Sequence, residues 1–301
     1  MKGTWIGLGL LLACGRAQPE HATSASEPAA SAPAAAKTPA AKEELKWAAA
    51  SRVIAIGDMH GDLEAARRAL KIAGAIDEAD HWAGGALTLV QTGDVLDRGD
   101  DDRKIFDWLE QLRPEAKAAG GELILLSGNH ELMNVAQDFS YVTPAAFESF
   151  GELGGRPSAF RPGGVYALRI ALRPFVAQVG DAVYVHGGVL PEHVEYGLAR
   201  MQHELRAWLA GQGPLPALVA NVDSPVWTRA YSAEPLDCER LTRALAMLNA
   251  KRMIVGHTPQ QHGITSACDE QVWRIDTGMS RFYGGPTEVL ELTGDRVRAL
   301  R

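Results

Sequence analysis

The chain has 301 residues, 46% of them hydrophobic and 31 of them glycine, which is enough to bury a sizeable core in a turn-rich protein. Its formal net charge is -7 at pH 7. Nucleic acids and anionic membrane surfaces are bound through basic patches, so this charge argues against both as partners.

The first 14 residues have the pattern of a bacterial secretion signal. Lys2 precedes an apolar stretch at 6–12, which is shorter than the roughly 20 residues that span a bilayer. The sequence Leu-Leu-Ala-Cys, ending at Cys14, resembles the lipobox of lipoprotein precursors, and this resemblance implies cleavage before Cys14 and its lipidation. Gly15, in place of an Asp, favours the periplasmic face of the outer membrane. The alternative is an ordinary cleaved signal peptide.

The next segment differs sharply in composition from the rest of the chain. Residues 15–46 are mainly Ala, Pro, Ser and charged residues, with almost no large apolar side chain before Leu45 and Trp47. Such a segment cannot bury enough surface to order itself, which predicts a flexible tether. Residues 47–301 fit one catalytic domain. We therefore predict a lipid-anchored protein of the cell envelope whose catalytic domain stands off the membrane.

Six short apolar runs rich in Val, Ile and Leu each end at a glycine turn or at a residue that binds hard cations. Runs of this kind are typical of strands buried on both faces. In open α/β sheets the site lies beyond the carboxyl ends of the strands, so the residues that follow the runs are predicted to share one site. The runs occupy 53–56, 87–90, 123–126, 183–185, 253–255 and 272–275.

The residues after the runs match what a pair of divalent cations about 3.5 to 4 Å apart requires, namely a bridging carboxylate with imidazole, carboxylate and amide ligands. Asp97 and Arg98 add a carboxylate and a guanidinium suited to phosphate. A single Gly-Asp or Gly-His after an apolar run is more often a turn, and only the series makes these residues candidate ligands. The predicted ligands are Asp58, His60, Asp94, Asn129, His186 and His257.

Apolar residues at helical spacing predict helices at 63–72, 103–112, 191–209 and 237–249. The connection at 132–182 is long, and long loops in compact domains are often functional, so we predict that it caps the substrate pocket. Its candidates for contacting the substrate, which could equally belong to the core or to a solvated face, are Phe139, Tyr141, Arg161 and Arg169.

Three further groups of residues are interpreted from their surroundings. Cys238 and Cys268 could pair in an oxidising compartment, but the sequence leaves open whether they are close enough. Asp276 could contact the site or simply hold the turn at Gly278. The remaining histidines lack a partner motif and are predicted to lie at the surface: His21, His81, His193, His203 and His262.

The motifs, in this order, resemble those of the phosphoprotein phosphatase family of metallophosphatases. The hallmarks GDxHG, GDxxDRG and GNHE occur at 57–61, 93–99 and 128–131, followed by two later histidines. Further similarity to the Shewanella-like branch comes from Met133-Asn134-Val135, Tyr141-Val142-Thr143 and Gly278-Met279-Ser280. The resemblance implies an α/β fold, the four-layer αββα sandwich of calcineurin-like metallophosphoesterases.

The resemblance also implies a role for each matched residue. Asp58 and His60 would hold the first metal, Asp94 would bridge both, and the second would take the remaining three ligands. His130 would be the general acid, oriented by Asp97. Arg98 would clamp the phosphate together with Arg229, which is assigned from the motif Val-Trp-Thr-Arg. A hydroxide bridging the metals would attack phosphorus directly, without a phosphoenzyme.

Departures from related families narrow this interpretation. In many diesterases the last motif is Gly-His-x-His, whereas here Pro259 replaces the second histidine of that motif. Symmetrical dinucleoside tetraphosphatases usually lack the carboxylate that Asp97 provides. Both differences favour a phosphoprotein phosphatase.

The resemblance favours manganese as the metal, with iron or zinc as alternatives, and phosphorylated protein as the substrate, with a preference for phosphotyrosine. Two other functions stay open. One is a periplasmic phosphohydrolase that acts on small phosphomonoesters such as nucleotides or sugar phosphates. The other is a non-catalytic metal-binding protein, against which intact Asp97, Arg98 and His130 speak.

Overall fold

The structure, a computed structural model, describes residues 45–301. The predicted signal peptide, Cys14, His21 and most of the predicted tether lie outside the described residues. The last residue of the predicted tether, Lys46, already lies in the first strand. Within 45–301, no helix is both long and apolar enough to cross a membrane.

All six predicted strands are present, each within a residue of its predicted bounds at either end. In the strands at 53–56 and 88–91 every residue is buried, as expected for strands covered on both faces. In chain order the strands are β1 Lys46–Trp47, β2 Val53–Ile56, β3 Thr88–Gln91, β4 Glu122–Leu125, β5 Val176–Val179, β6 Ala182–Val185, β7 Arg252–Val255, β8 Thr265–Ala267, β9 Val272–Arg274, β10 Val289–Thr293 and β11 Arg296–Leu300.

These strands form two mixed sheets. One has the order β1-β5-β6-β7-β9-β8 and the other β11-β10-β2-β3-β4. The strands β2, β3 and β4 are mutually parallel, and so are β6, β7 and β9. Parallel neighbours end at the same edge of a sheet, so all six motif loops emerge at the carboxyl edges.

Helices flank the sheets, and their bounds refine the sequence-based prediction. The region 191–209 divides into two helices at Gly197. Its φ of 103° is one that glycine readily adopts, but it is incompatible with the interior of a helix. The helices are α1 Leu63–Ala73, α2 Asp102–Ala118, α3 Asn129–Val135, α4 Pro144–Glu148, α5 Arg156–Phe160, α6 Val165–Ile170, α7 Pro191–Tyr196, α8 Leu198–Leu209, α9 Ala217–Ala220 and α10 Cys238–Leu248, with a 3-10 turn at Gly151–Leu153.

Alternation along each strand divides the core into layers. Val53 and Ala55 of β2 face Tyr184 and Ile254 of the other sheet, in a cluster that lies between the sheets. Ile54 and Ile56, which point to the opposite face of β2, belong to a second cluster that includes buried residues of the helices. The predicted α/β calcineurin-like sandwich is confirmed.

The two cysteines whose pairing the sequence left open form a disulfide. Cys238 begins α10 and Cys268 follows β8, and their Cα atoms are 5.4 Å apart. The bond therefore ties the β8–β9 hairpin to the helix on the outer face of its sheet.

Candidate metal centre

The motif loops hold their functional residues in backbone conformations that few side chains adopt. His60, Asp94, Asp97, Arg98 and His257 all have positive φ, between 45° and 69°. Left-handed conformations cost energy for residues other than glycine and persist where the surroundings impose them, typically at functional sites. Each of the three loops that follow β2, β3 and β7 thus contains such a strained residue.

Glu131 braces the most central of these loops. Its buried carboxylate accepts hydrogen bonds from the backbone N–H groups of Asp94 at 2.8 Å, Val95 at 2.9 Å, Leu96 at 3.2 Å and Gly128 at 2.8 Å. The sequence placed Glu131 in a motif but gave it no role. Because it ties the loop after β3 to the loop after β4, Glu131 fixes where the Asp94 carboxylate lies.

A first group of candidate ligands surrounds His60. Its Nε2 lies 3.9 Å from Asp58 Oδ2 and 3.8 Å from Asp94 Oδ2. A cation about 2 Å from each ligand atom fits between atoms this far apart. The three side chains are buried at the carboxyl ends of β2 and β3, where the sequence placed them.

A second group converges on His186. Its Nε2 lies 2.9 Å from Asn129 Oδ1, 3.1 Å from His257 Nδ1 and 3.2 Å from Asp94 Oδ2. Asp94 therefore belongs to both groups, as a bridging carboxylate must. The structure brings together all six predicted ligands.

The second nitrogen of each histidine ligand is engaged by a backbone carbonyl. His60 Nδ1 lies 3.1 Å from the Leu96 carbonyl, His186 Nδ1 is 3.0 Å from that of Thr92, and His257 Nε2 is 3.0 Å from that of Trp227. Each carbonyl can only accept, so the proton sits on that nitrogen and the other nitrogen presents its lone pair to the site. This is the arrangement by which outer residues orient metal-binding histidines.

The electrostatics of the site favour the metal-binding protonation state at His60, His257 and Asp94 but oppose it at Asp58. Burial lowers the pKa of His60 to about 3 and that of His257 to about 2, so both rings are neutral. Burial raises the pKa of Asp94, but His186 and His130 outweigh it and hold that pKa well below the usual value. Burial, with Asp276 and Asp94 nearby, raises the pKa of Asp58 well above the usual value. Cations would relieve this crowding of carboxylates.

His130 stands beside the ligands but in a different setting. Its Nε2 is 3.8 Å from Asp94 Oδ2, while its Nδ1 lies 2.7 Å from Asp97 Oδ2. Burial lowers the pKa of His130, but Asp94 and Asp97 outweigh it and raise that pKa above its usual value. A protonated imidazole cannot bind a metal but can donate a proton, so the setting suits a general acid rather than a third ligand.

Comparison with known proteins agrees with this geometry. Residues 51–261 match the family described as calcineurin-like phosphoesterase. The chain belongs to that family. It is a phosphoric monoester hydrolase that uses divalent metals, as the motifs predicted.

Several relatives carry the Shewanella-like name that the motifs also indicated. Shewanella-like protein phosphatase 2 of Arabidopsis thaliana is 41% identical over 295 residues, covering 81% of this chain and 75% of the relative. Shewanella-like protein phosphatase 1 of Plasmodium berghei is 32% identical over 277 residues, covering 86% and 76%. A solved cold-active protein-tyrosine phosphatase of a psychrophilic Shewanella species has a TM-score of 0.74 and 25% identity, covering 85% and 79%.

Aromatic side chains surround Arg98 at the mouth of the phosphoesterase site. The Arg98 guanidinium carbon lies 4.5 Å from the ring centre of Tyr141, 5.0 Å from that of Phe282 and 5.3 Å from that of Tyr283. Its Nη2 is 3.5 Å from His130 Nε2. Of these aromatic residues, only Tyr141 was predicted to approach the site. The signal for the other two was a pair of adjacent aromatics just beyond the sixth motif.

The other predicted arginine, Arg229, is exposed. Its positive charge adds to burial and to His186 in lowering the pKa of His257, which places it on the side of the second group. Of the two roles that the sequence left open for Asp276, the structure shows that it holds the turn at Gly278. Its Oδ1 accepts the Gly278 N–H at 2.9 Å, and its charge acts on Asp58.

One expectation about the histidines without a partner motif is wrong. His193 was predicted at the surface but is only 9% exposed, because its Nδ1 accepts the Leu190 N–H at the start of α7. His81, His203 and His262 are exposed as predicted.

The candidate substrate contacts of the segment 132–182 other than Tyr141 have the alternative settings that the sequence left open. Arg161 is exposed, Phe139 packs on Phe147, and Arg169 pairs with Asp107 of α2. Besides Tyr141, the segment supplies Arg156, which is fully buried behind the site and donates to Asp97. Sequence reasoning missed it, since an arginine between a glycine pair and a proline gives no local signal of burial.

Proposed function

We propose that this phosphoesterase is a dinuclear metal-dependent phosphatase that hydrolyses phosphomonoesters, with a preference for phosphotyrosine in proteins. One observation carries the proposal: Asp94 is shared by two groups of buried candidate ligands, Asp58 and His60 on one side and the His186 group on the other. A single-metal site would need no shared carboxylate.

The side chains present fit a pair of divalent cations. The donor set combines carboxylate, amide and neutral imidazole, which suits manganese, iron or zinc, and we propose manganese. Gly128 and Gly256 leave space that a side chain would close, because an added Cβ would overlap Asp94 Oδ1 and Asp58 Oδ1, respectively. When bound, the cations would supply an activated water for attack on phosphorus and would neutralise phosphoryl charge.

The protein's own groups complete the reaction. We assign to His130 the donation of its Nε2 proton to the leaving oxygen, while its Nδ1–H stays bonded to Asp97. Arg98, held over the site by its aromatic neighbours, binds phosphoryl oxygens through its fork of N–H groups. Arg229 contributes positive charge near His257. Oriented cations of this kind stabilise the charge on the equatorial oxygens.

The surroundings of Arg98 support an aryl leaving group. Tyr141, Phe282 and Tyr283 are 45%, 59% and 38% exposed, so their faces are open to a substrate ring. The adjoining cleft of about 280 Å³ also contains Asp100 and Asp101. Carboxylates there disfavour a polyanionic nucleotide and tolerate a peptide. The protein-tyrosine phosphatase from Shewanella, which shares the fold, points the same way.

The test is a comparison of kcat/KM for phosphotyrosine peptides, phosphoserine peptides and a nucleotide panel, using the full chain supplied with Mn²⁺. We expect the highest value for phosphotyrosine peptides. A preference for nucleotides would instead indicate a small-molecule phosphohydrolase. An absence of turnover with every substrate would indicate a metal-binding protein and refute the proposal.

We also propose that the protein is anchored in the cell envelope through a lipid on Cys14. The disulfide between Cys238 and Cys268 supports an oxidising compartment. In cells fed a labelled fatty acid, the full chain should carry the label and sediment with membranes, and a Cys14→Ser variant should do neither. Equal labelling of the two chains would refute the anchor.

A further inference from the structure

The buried arginine of the segment 132–182 makes an unusual set of contacts. The side chain of Arg156 is fully buried, and its guanidinium donates to Asp97 Oδ1 at 3.1 Å, Asp102 Oδ2 at 2.7 Å and Asn134 Oδ1 at 2.7 Å. Its guanidinium carbon lies 5.0 Å from the ring centre of Phe150. Water is excluded, so these contacts are not screened by solvent.

Asp97 receives this contact on the oxygen that does not face the general acid. Its Oδ2 lies 2.7 Å from His130 Nδ1, whereas its Oδ1 accepts from Arg156 and, at 2.8 Å, from Asn134 Nδ2. Both oxygens are therefore fixed, and so is the plane of the carboxylate. Direct hydrogen bonds therefore link Arg156 to Asp97 and Asp97 to the ring of His130, whose Nε2 is the assigned proton donor.

The charge of Arg156 matters most after proton transfer. While His130 is protonated, it balances the charge of Asp97. Once its Nε2 proton has gone to the leaving oxygen, Asp97 faces a neutral ring, and a buried carboxylate without a cationic partner is costly. Arg156 remains as that partner, so the Asp97 carboxylate keeps its orientation and holds the Nδ1–H of His130 in place through the cycle.

We propose that Arg156 is a positioning residue for the general acid, acting on His130 through Asp97. The inference rests on the proposed function, because it assigns His130 the protonation of the leaving group. It also gives the segment 132–182 a specific function, namely to deliver a buried cation to the acid. It predicts that loss of Arg156 lowers kcat most for the substrates whose leaving group most needs that proton.

The test compares kcat for a series of aryl phosphates whose phenols differ in acidity, from 4-nitrophenyl phosphate to phenyl phosphate. A leaving group that is already acidic needs little protonation. For Arg156→Met we expect kcat to fall about 10- to 100-fold with phenyl phosphate, as for other outer residues that orient a reacting group. The fall should be several-fold smaller with 4-nitrophenyl phosphate, and KM should stay unchanged because Arg98 is untouched.

Arg103→Met is the matched control. Arg103 also stacks on Phe150, at 5.3 Å, and ties α2 to the same segment through Ser149 and Glu152, but it does not contact Asp97. Its loss should lower thermal stability without changing the dependence of kcat on the leaving group.

A second variant covers the case in which Arg156→Met does not fold. Arg156→Lys keeps the charge but loses the fork that reaches three partners, so it should steepen the leaving-group dependence less than the methionine would. In a His130→Asn background, Arg156→Lys should have no further effect on the slope, since the two residues act as a unit.

The outcomes separate this inference from the function on which it rests. If the unaltered protein turns over no aryl phosphate, the proposed function fails as well. If it does, and Arg156→Met, or Arg156→Lys where the methionine variant does not fold, shows the same slope as the unaltered protein, Arg156 is merely structural and the inference is overturned. A uniform loss across the series would also overturn it.

Discussion

The brace formed by Glu131 gives a prediction whose size can be worked out from the structure. Glu131→Gln keeps the shape of the side chain but replaces one carboxylate oxygen by an NH₂ group, which then faces two backbone N–H donors. Two charge-assisted hydrogen bonds are lost, each contributing about 1.5 to 3 kcal/mol. Burial and the neighbouring Asp94 raise the pKa of Glu131, so losing the charge also relieves some repulsion. We expect a net loss of about 3 kcal/mol in the free energy of unfolding.

Urea denaturation and metal titration would measure this. For a domain of this size the loss corresponds to a fall of about 6 to 12 °C in Tm. Because Asp94 loses its brace, metal affinity should also fall, by about 10- to 100-fold. The control is Glu291→Gln on β10, whose carboxylate pairs with Arg52 and Arg298 away from the site. The reasoning is wrong if Glu131→Gln matches this control in both stability and metal affinity.

Three other predictions test the site. His130→Asn should lower kcat by about 10²- to 10⁴-fold while metal content stays unchanged, and surviving activity would show that the general acid is another group. Gly256→Ala should reduce bound metal per chain, since its Cβ would overlap a carboxylate ligand, whereas Gly151→Ala, where a Cβ has open space, should not; metal analysis decides. Burial holds the pKa of His60 near 3 and that of His257 near 2 in the folded state. In protein whose metal has been removed by a chelator, these two histidines are therefore protonated in the unfolded state, but not in the folded state, once the pH falls below about 6.5. The free energy of unfolding measured in urea should therefore fall between pH 7.5 and pH 5.5, by about 1.4 kcal/mol per group per pH unit below 6.5, and a pH-independent free energy would contradict this.

Much of the site could be predicted from sequence because its information is local. Each ligand lies within a few residues of a short apolar run, and parallel strands bring such positions to one edge of a sheet. The strand bounds and the meeting of the six candidate ligands followed from that rule, whereas the pairing of His130 with Asp97 was implied by the resemblance of the motifs. The helix ends were less accurate: the prediction missed the break at Gly197, since nothing in the adjacent residues shows that the chain must turn there.

Contacts that join distant segments were decided by the tertiary structure alone. Arg156 and Asp97 are 59 residues apart, and their pairing depends on how the short helices between them pack. The same holds for the burial of His193 and for the disulfide across 30 residues. A sequence pattern reports which face of a strand or helix is apolar, but not which other segment will cover it. The sequence by itself therefore determined the class of reaction and which six candidate ligands meet, and the packing of the segment 132–182 decided which buried cation stands behind the His130–Asp97 pair.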